Sequence, residues 1–136
     1  MKQRTLLILS ALILMLPSCI PESTAVSLEG AWQCEETSEI FLKNTKGTSI
    51  FPVYLAQDAM NDNKYYIDNF YNMGTGSQIT IMLTGGRTIT IEKQTVSGIE
   101  FEGSAVVSAD YNTIEFAYTA DDGGGQIDHV KSTYTR

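Results

Sequence analysis

The chain has 136 residues, with 9 Lys+Arg against 16 Asp+Glu, a formal net charge of −7 and 43% hydrophobic residues. That length supports one domain. The acidity excludes a nucleic-acid partner, which demands a basic footprint, and disfavours lying flat on an anionic lipid surface.

The first 18 residues read as a leader. Lys2 and Arg4 form a positive start, and Leu6 to Leu16 form an apolar run with small residues at Ser10 and Ala11. The run is shorter than the roughly 20 residues a spanning helix needs and has the charge and length of a secretory signal. It ends Leu16-Pro17-Ser18-Cys19, which resembles the lipobox of bacterial lipoproteins, although Pro17 departs from the usual pattern. The resemblance implies cleavage before Cys19 and attachment of acyl chains such as palmitate to that cysteine; the alternative is an ordinary signal peptide with an incidental cysteine. Cleavage there removes two of the basic residues and none of the acidic ones, so the mature chain is more acidic still. More than one acyl chain is needed for stable attachment. The expected organisation is a signal peptide at 1–18, a lipid-anchored tether at 19–27 and one β domain at 28–136. Ile20 to Ser27 is rich in Pro, Ser, Thr and Glu and poor in residues that pack. With Cys19 lipidated, Cys34 is the one remaining thiol; no intramolecular disulfide can form, and the expected role is that of a small buried hydrophobe.

The body of the chain alternates. Leu28, Gly30, Trp32 and Cys34 share one parity, with Glu29, Ala31, Gln33 and Glu35 on the other, the period of a half-buried strand. Further strand-like runs follow: SIFPVYLA, KYYIDNFY, QITIMLTG, RTITIEKQ, GIEFEGSAVV, TIEFAYTA and QIDHVKSTYTR. Between them, Gly85-Gly86 is expected as a two-residue connection compatible with a primed turn, and Ser97-Gly98, Ala109-Asp110-Tyr111-Asn112 and Asp121-Asp122 with the following glycines also carry turn chemistry. Glu36 to Ser49 is open between a loop, a short helix and an irregular edge. About eight strands joined by short turns predict an all-β fold, an eight-stranded antiparallel up-and-down barrel, with a β-sandwich as the alternative. Pro52 fits an edge, a bulge or a barrel corner.

Gly30-Ala31-Trp32 on the first strand resembles the Gly-x-Trp signature of lipocalins and their calycin relatives. The resemblance implies that a basic residue of the last strand lies across the tryptophan and closes one barrel end; here that residue is Arg136, which shares the parity of Val130 and Tyr134. Planar guanidinium on indole suits such a lid. The chain lacks the disulfide of the larger secreted lipocalins and the helix that follows their barrel. It is more similar to the small lipocalin-like lipoproteins of Bacteroidetes-type envelopes, in segments such as YYIDNFYNMG and RTITIEKQTVSG. That resemblance implies an outer-membrane address. Only Glu22 follows Cys19 closely, which tilts the expectation towards the periplasmic face over the cell surface.

No constellation for catalysis stands out, and none is expected. His129 is the one histidine and has outward parity, opposite to Cys34, so the two are not expected to form a nucleophile and base. There are too few Cys and His for a structural zinc site, and no metal or cofactor is expected. Asp121-Asp122 lacks the spaced oxygen ligands of a calcium loop. Two functions remain. One is a small hydrophobic ligand held in the open barrel end opposite Trp32 by Tyr65, Tyr66, Phe101, Gly103, Ala105, Phe116 and Tyr118. Tyrosines suit a cavity rim, and the small residues leave room. The other is a filled acidic barrel that meets an envelope protein partner, for example as an inhibitor.

Overall fold

The computed structural model describes residues 26–42 and 48–136. The leader, Cys19 and most of the tether lie outside the described residues. Eight strands follow in order: β1 (Gly30–Ser38), β2 (Ser49–Gln57), β3 (Lys64–Asp68), β4 (Gln78–Thr84), β5 (Thr88–Val96), β6 (Ile99–Val107), β7 (Thr113–Asp121) and β8 (Ile127–Thr135). Each pairs antiparallel with the next. β1 also pairs with β8, Cys34 opposite Tyr134 and Glu36 opposite Ser132, so the sheet closes into an up-and-down barrel. Closure leaves no sheet edge unpaired, and the sandwich alternative is excluded.

Alternation builds the interior. Trp32, Cys34, Val53, Leu55, Ile79, Ile81, Ile89, Ile91, Phe101, Phe116, Val130 and Tyr134 are all buried, with exposed residues between most of them. β1 runs past the expected Glu35 to Ser38, then a single helical turn, α1 (Glu39–Leu42), leads away. Pro52 lies within β2 opposite Gln33 and needs no edge or bulge. Its carbonyl faces away from β1 and accepts from Asn69 Nδ2 at 2.7 Å, and the β2–β3 ladder begins only at Tyr54. The missing N–H therefore costs no ladder bond.

Three local departures have clear causes. The β4–β5 connection has three residues, because Arg87 gives its carbonyl to Val107 N and not to β4; Gly85 and Gly86 take the positive φ values, 60° and 84°, that the turn demands. In β5 an extra residue between Ile91 and Gln94 shifts the register against β6. The Gln94 amide then accepts from Thr80 N at 2.8 Å and donates to Thr80 O at 2.7 Å, standing in for the strand partner β4 loses there. Finally, β3 ends at Asp68, before the expected Tyr71. Asn69, Tyr71 and Asn72 have left-handed φ of 61°, 56° and 53°, and a 3-10 turn, Phe70–Asn72, folds inward. Asn tolerates that conformation better than most residues, and here the Asn69 side chain also accepts from Gly74 N.

Candidate functional site

The two barrel ends differ in kind. At the end where β1 starts and β8 finishes, Trp32 is buried and donates Nε1–H to Leu28 O at 2.9 Å. The Arg136 guanidinium lies 4.4 Å from the Trp32 ring centroid and donates to Ser27 O and Glu29 O at 3.2 and 3.5 Å. The cation is thus stacked on one face of the indole and pinned to the segment that enters β1.

The opposite end, the mouth, carries the β1–β2, β3–β4, β5–β6 and β7–β8 connections. Phe70 of the inward 3-10 turn drops into it, with ring centroids 4.6 Å from Tyr118, 5.3 Å from Phe101 and 6.3 Å from Phe116. Of the residues expected to line a ligand cavity, Phe101, Gly103, Ala105, Phe116 and Tyr118 share the inner wall of β6 and β7. Phe70 fills the space before its three aromatics. Gly103 marks a close approach and not an opening: a Cβ there would sit 2.5 Å from Tyr118 Cβ and from Ala117 O. The other two candidates lie apart from these. Tyr65 is buried towards the Trp32 end, its hydroxyl accepting from Leu28 N at 3.5 Å. Tyr66 faces outward, donating to Asp58 at 2.6 Å beneath Lys64.

The mouth also holds polar groups that the sequence reading passed over. Glu36 is 5% exposed and Asp128 1%. Tyr118 donates to Glu36 Oε2 at 2.6 Å. Asp128 accepts from Ser38, from Tyr71 at 2.7 Å and from Ile40 N at 3.2 Å. No cationic side chain among the described residues pairs with either carboxylate. Burial first, and then the charge of Asp128, push the Glu36 carboxyl up to about 7, against the ordinary carboxylate preference for ionisation at neutral pH. Tyr71, Tyr118 and Tyr134 are all raised, chiefly by burial. Deeper in, Ser132 Oγ and Tyr134 OH are buried without a hydrogen-bond partner among the described residues. Both approach the thiol of Cys34, a weak acceptor. That thiol is itself raised well above its usual range by burial, so Cys34 is an inert buried side chain here. His129 is exposed on the other side of the sheet, and the two do not meet.

Parity was the available signal. Glu36 and Ser38 continue the Trp32–Cys34 row, and Asp128 and Ser132 continue the Val130–Tyr134 row, so four polar residues sit on inward positions. Among the described residues no cluster of His, Cys, Asp or Glu has the makeup of a metal site.

Outside, the wall of β6, β7, β8 and β1 bears two adjoining concavities of about 490 Å³ each. Glu35 and Glu115 border one, Glu39 and Glu102 the other; Ala117 and Lys131 line both. Val106, 57% exposed, adds an apolar spot to the first. The opposite wall differs in charge: Lys64, Arg87 and Lys93 accompany Asp58, Asp68 and Glu92. No protein-family model matches the chain, and no curated protein matches its sequence.

Proposed function

We propose that this chain is an envelope lipoprotein, tethered through Cys19, whose barrel meets a cationic protein partner with the outer wall of β1, β6, β7 and β8. The observation that carries this reading is the pairing of a packed interior with a one-sided acidic exterior. Phe70 and the β6–β7 aromatics occupy the volume a small hydrophobic ligand would need. The acidic wall offers Ala117 and Val106 as a small apolar centre with Glu35, Glu39, Glu102 and Glu115 around it. Apolar centre and charged rim are the usual anatomy of a protein interface, and four carboxylates against the single Lys131 make a net negative field that selects and steers an oppositely charged partner.

The test is fluorescence anisotropy with a labelled 20-residue polylysine peptide at low and moderate salt. The double variant Glu102→Gln/Glu115→Gln should weaken binding at least tenfold, and Asp68→Asn/Glu92→Gln on the other wall less than twofold. Equal losses from the two pairs would mean that net charge alone attracts the peptide, and the docking wall would be wrong. The tether is tested separately: Cys19→Ala should move the protein from membrane pellets to the soluble fraction.

A further inference from the structure

We propose that the outer face of β2, with Met60 beyond its end and Val26 beside it, is where the barrel rests on a zwitterionic lipid surface. This rests on the Cys19 tether proposed above, and neither on the acidic wall nor on the barrel interior.

The first ground is the pattern of β2. A strand covered on one face alternates apolar and polar residues, and β2 does not. Its inward row, Phe51, Val53 and Leu55, is buried. Its outward row is Ile50, Pro52, Tyr54 and Ala56. Each of the other seven strands has a charged residue or a glutamine on its outward row. Strands apolar on both rows are the ones that proteins cover on both faces. Among the described residues nothing covers this one: Ile50 is 62% exposed, and Pro52 and Tyr54 are exposed beside it.

The second ground is clustering. Of the six large apolar side chains exposed among the described residues, four, Val26, Ile50, Tyr54 and Met60, belong to this strip. Met60 is 95% exposed on the β2–β3 connection, at the Trp32 end. The connection is braced: Asp58 accepts from Met60 N at 2.9 Å, and Gln57 Nε2 donates to Asp62 O at 2.8 Å. Glu29 accepts from Gln57 N at 3.1 Å, so the segment carrying Val26 into β1 runs beside the end of β2. A continuous exposed apolar patch marks a protein or membrane contact.

The tether chooses between those two. Cys19 is seven residues before Val26, a span of at most about 25 Å. Acyl chains on Cys19 therefore hold a bilayer within that distance of the near end of the strip, at a high effective concentration that no free partner matches. Charge chooses the kind of lipid. Glu35 lies opposite Ile50 and Asp68 opposite Tyr54, and such flanks repel anionic headgroups and tolerate neutral ones. In the closed strand order β6 stands four strands from β2 in either direction. The acidic wall is then turned to water and stays free for its partner.

The test uses the lipidated protein in phosphatidylcholine vesicles, first floated on a density gradient. An environment-sensitive fluorophore is then attached at Ile50→Cys, Met60→Cys, Val106→Cys or Ile127→Cys, each position being exposed while Cys34 is buried. Val106 lies at the same barrel end as Met60 but on β6, so it separates docking by the β2 face from standing on that end. Quenching by nitroxide-labelled lipid should be at least threefold stronger at the Ile50 and Met60 positions than at the other two. Ile50→Ser/Tyr54→Ser should lower quenching of the Met60 label at least twofold. Failure to float removes the tether, and this proposal with it. Flotation with equal quenching at all four positions leaves the tether standing and overturns the docking face. If the lipid-free Cys19→Ala protein sediments as a dimer that Ile50→Ser/Tyr54→Ser returns to monomer, the strip belongs to a second copy and the lipid proposal is wrong.

Discussion

The two ends of this barrel handle charge in opposite ways. At the Trp32 end one cation, Arg136, stacks on an indole and spends its donors on two backbone carbonyls. Its charge stays in water while its flat face covers apolar surface, the cheap way to place a guanidinium. At the mouth two carboxylates go inside with no cation among the described residues paired to them, under a turn with left-handed backbone at Asn69, Tyr71 and Asn72. The first arrangement is what stability alone would select. The second withholds stability from the mouth, and such concessions concentrate where a protein binds or moves.

Removing the centre of the satisfied end should cost most. Trp32→Ala deletes a buried ring together with its hydrogen bond to Leu28 O and should lower unfolding free energy by about 3–5 kcal/mol. Chemical denaturation at fixed pH measures it. A loss under about 1 kcal/mol would mean that this end is no more stably built than the mouth.

The mouth should betray itself through pH. Glu36 has an ordinary value of 4.5 and is pushed up to about 7 in the folded barrel. The fold therefore binds this proton more tightly than the unfolded chain does. Its contribution is fully present below about pH 4.5 and is lost as pH rises through about 7. The whole span is on the order of 3 kcal/mol. Wild-type stability should thus fall between pH 5 and pH 8, and Glu36→Gln, neutral throughout, should remove most of that fall. A Glu36→Gln profile parallel to the wild type's would show that Glu36 is solvated and the mouth already open.

Both ends were partly legible beforehand, for different reasons. The eight strands follow from period-2 alternation and turn residues, which are local signals. Trp32 and Arg136 came from a motif and a parity. The mouth was missed because its makers break the pattern: Glu36, Ser38, Asp128 and Ser132 occupy inward positions with polar side chains, and a reader weighing carboxylates assigns them to solvent. Phe70 was hidden differently. KYYIDNFY reads as one strand, and only the left-handed Asn69 turns Phe70 into the barrel. Gly103 was read as room because a glycine is small; its smallness lets β7 approach instead.

That last point is testable on its own. Gly103→Ala places a methyl group against the Ala117 carbonyl and Tyr118 Cα and Cβ, atoms that belong to or are rigidly attached to the backbone. Overpacking of this kind should cost roughly 1–3 kcal/mol. It should also disturb the Tyr118 hydrogen bond to Glu36, so the pH profile should change shape along with the midpoint. Gly103→Ala at no cost would restore the view of this wall as open space.

The smallest effect belongs to the lid at the closed end. Arg136→Ala removes a stacked cation but leaves Trp32 otherwise buried by Leu28 and the neighbouring strands. A guanidinium–indole contact at a partly exposed site contributes about 0.5–2 kcal/mol, so the loss should be near 1 kcal/mol. The decisive quantity is its coupling to Trp32. If the guanidinium works through the indole, Arg136→Ala in a Trp32→Ala background should cost less than it does alone, by about 0.5 kcal/mol or more. Some of the loss should survive, because the guanidinium also ties down Ser27 O and Glu29 O. Strictly additive effects would instead assign the arginine to those carbonyls. The closed end would then be two independent contacts, and its contrast with the mouth would rest on Trp32 alone.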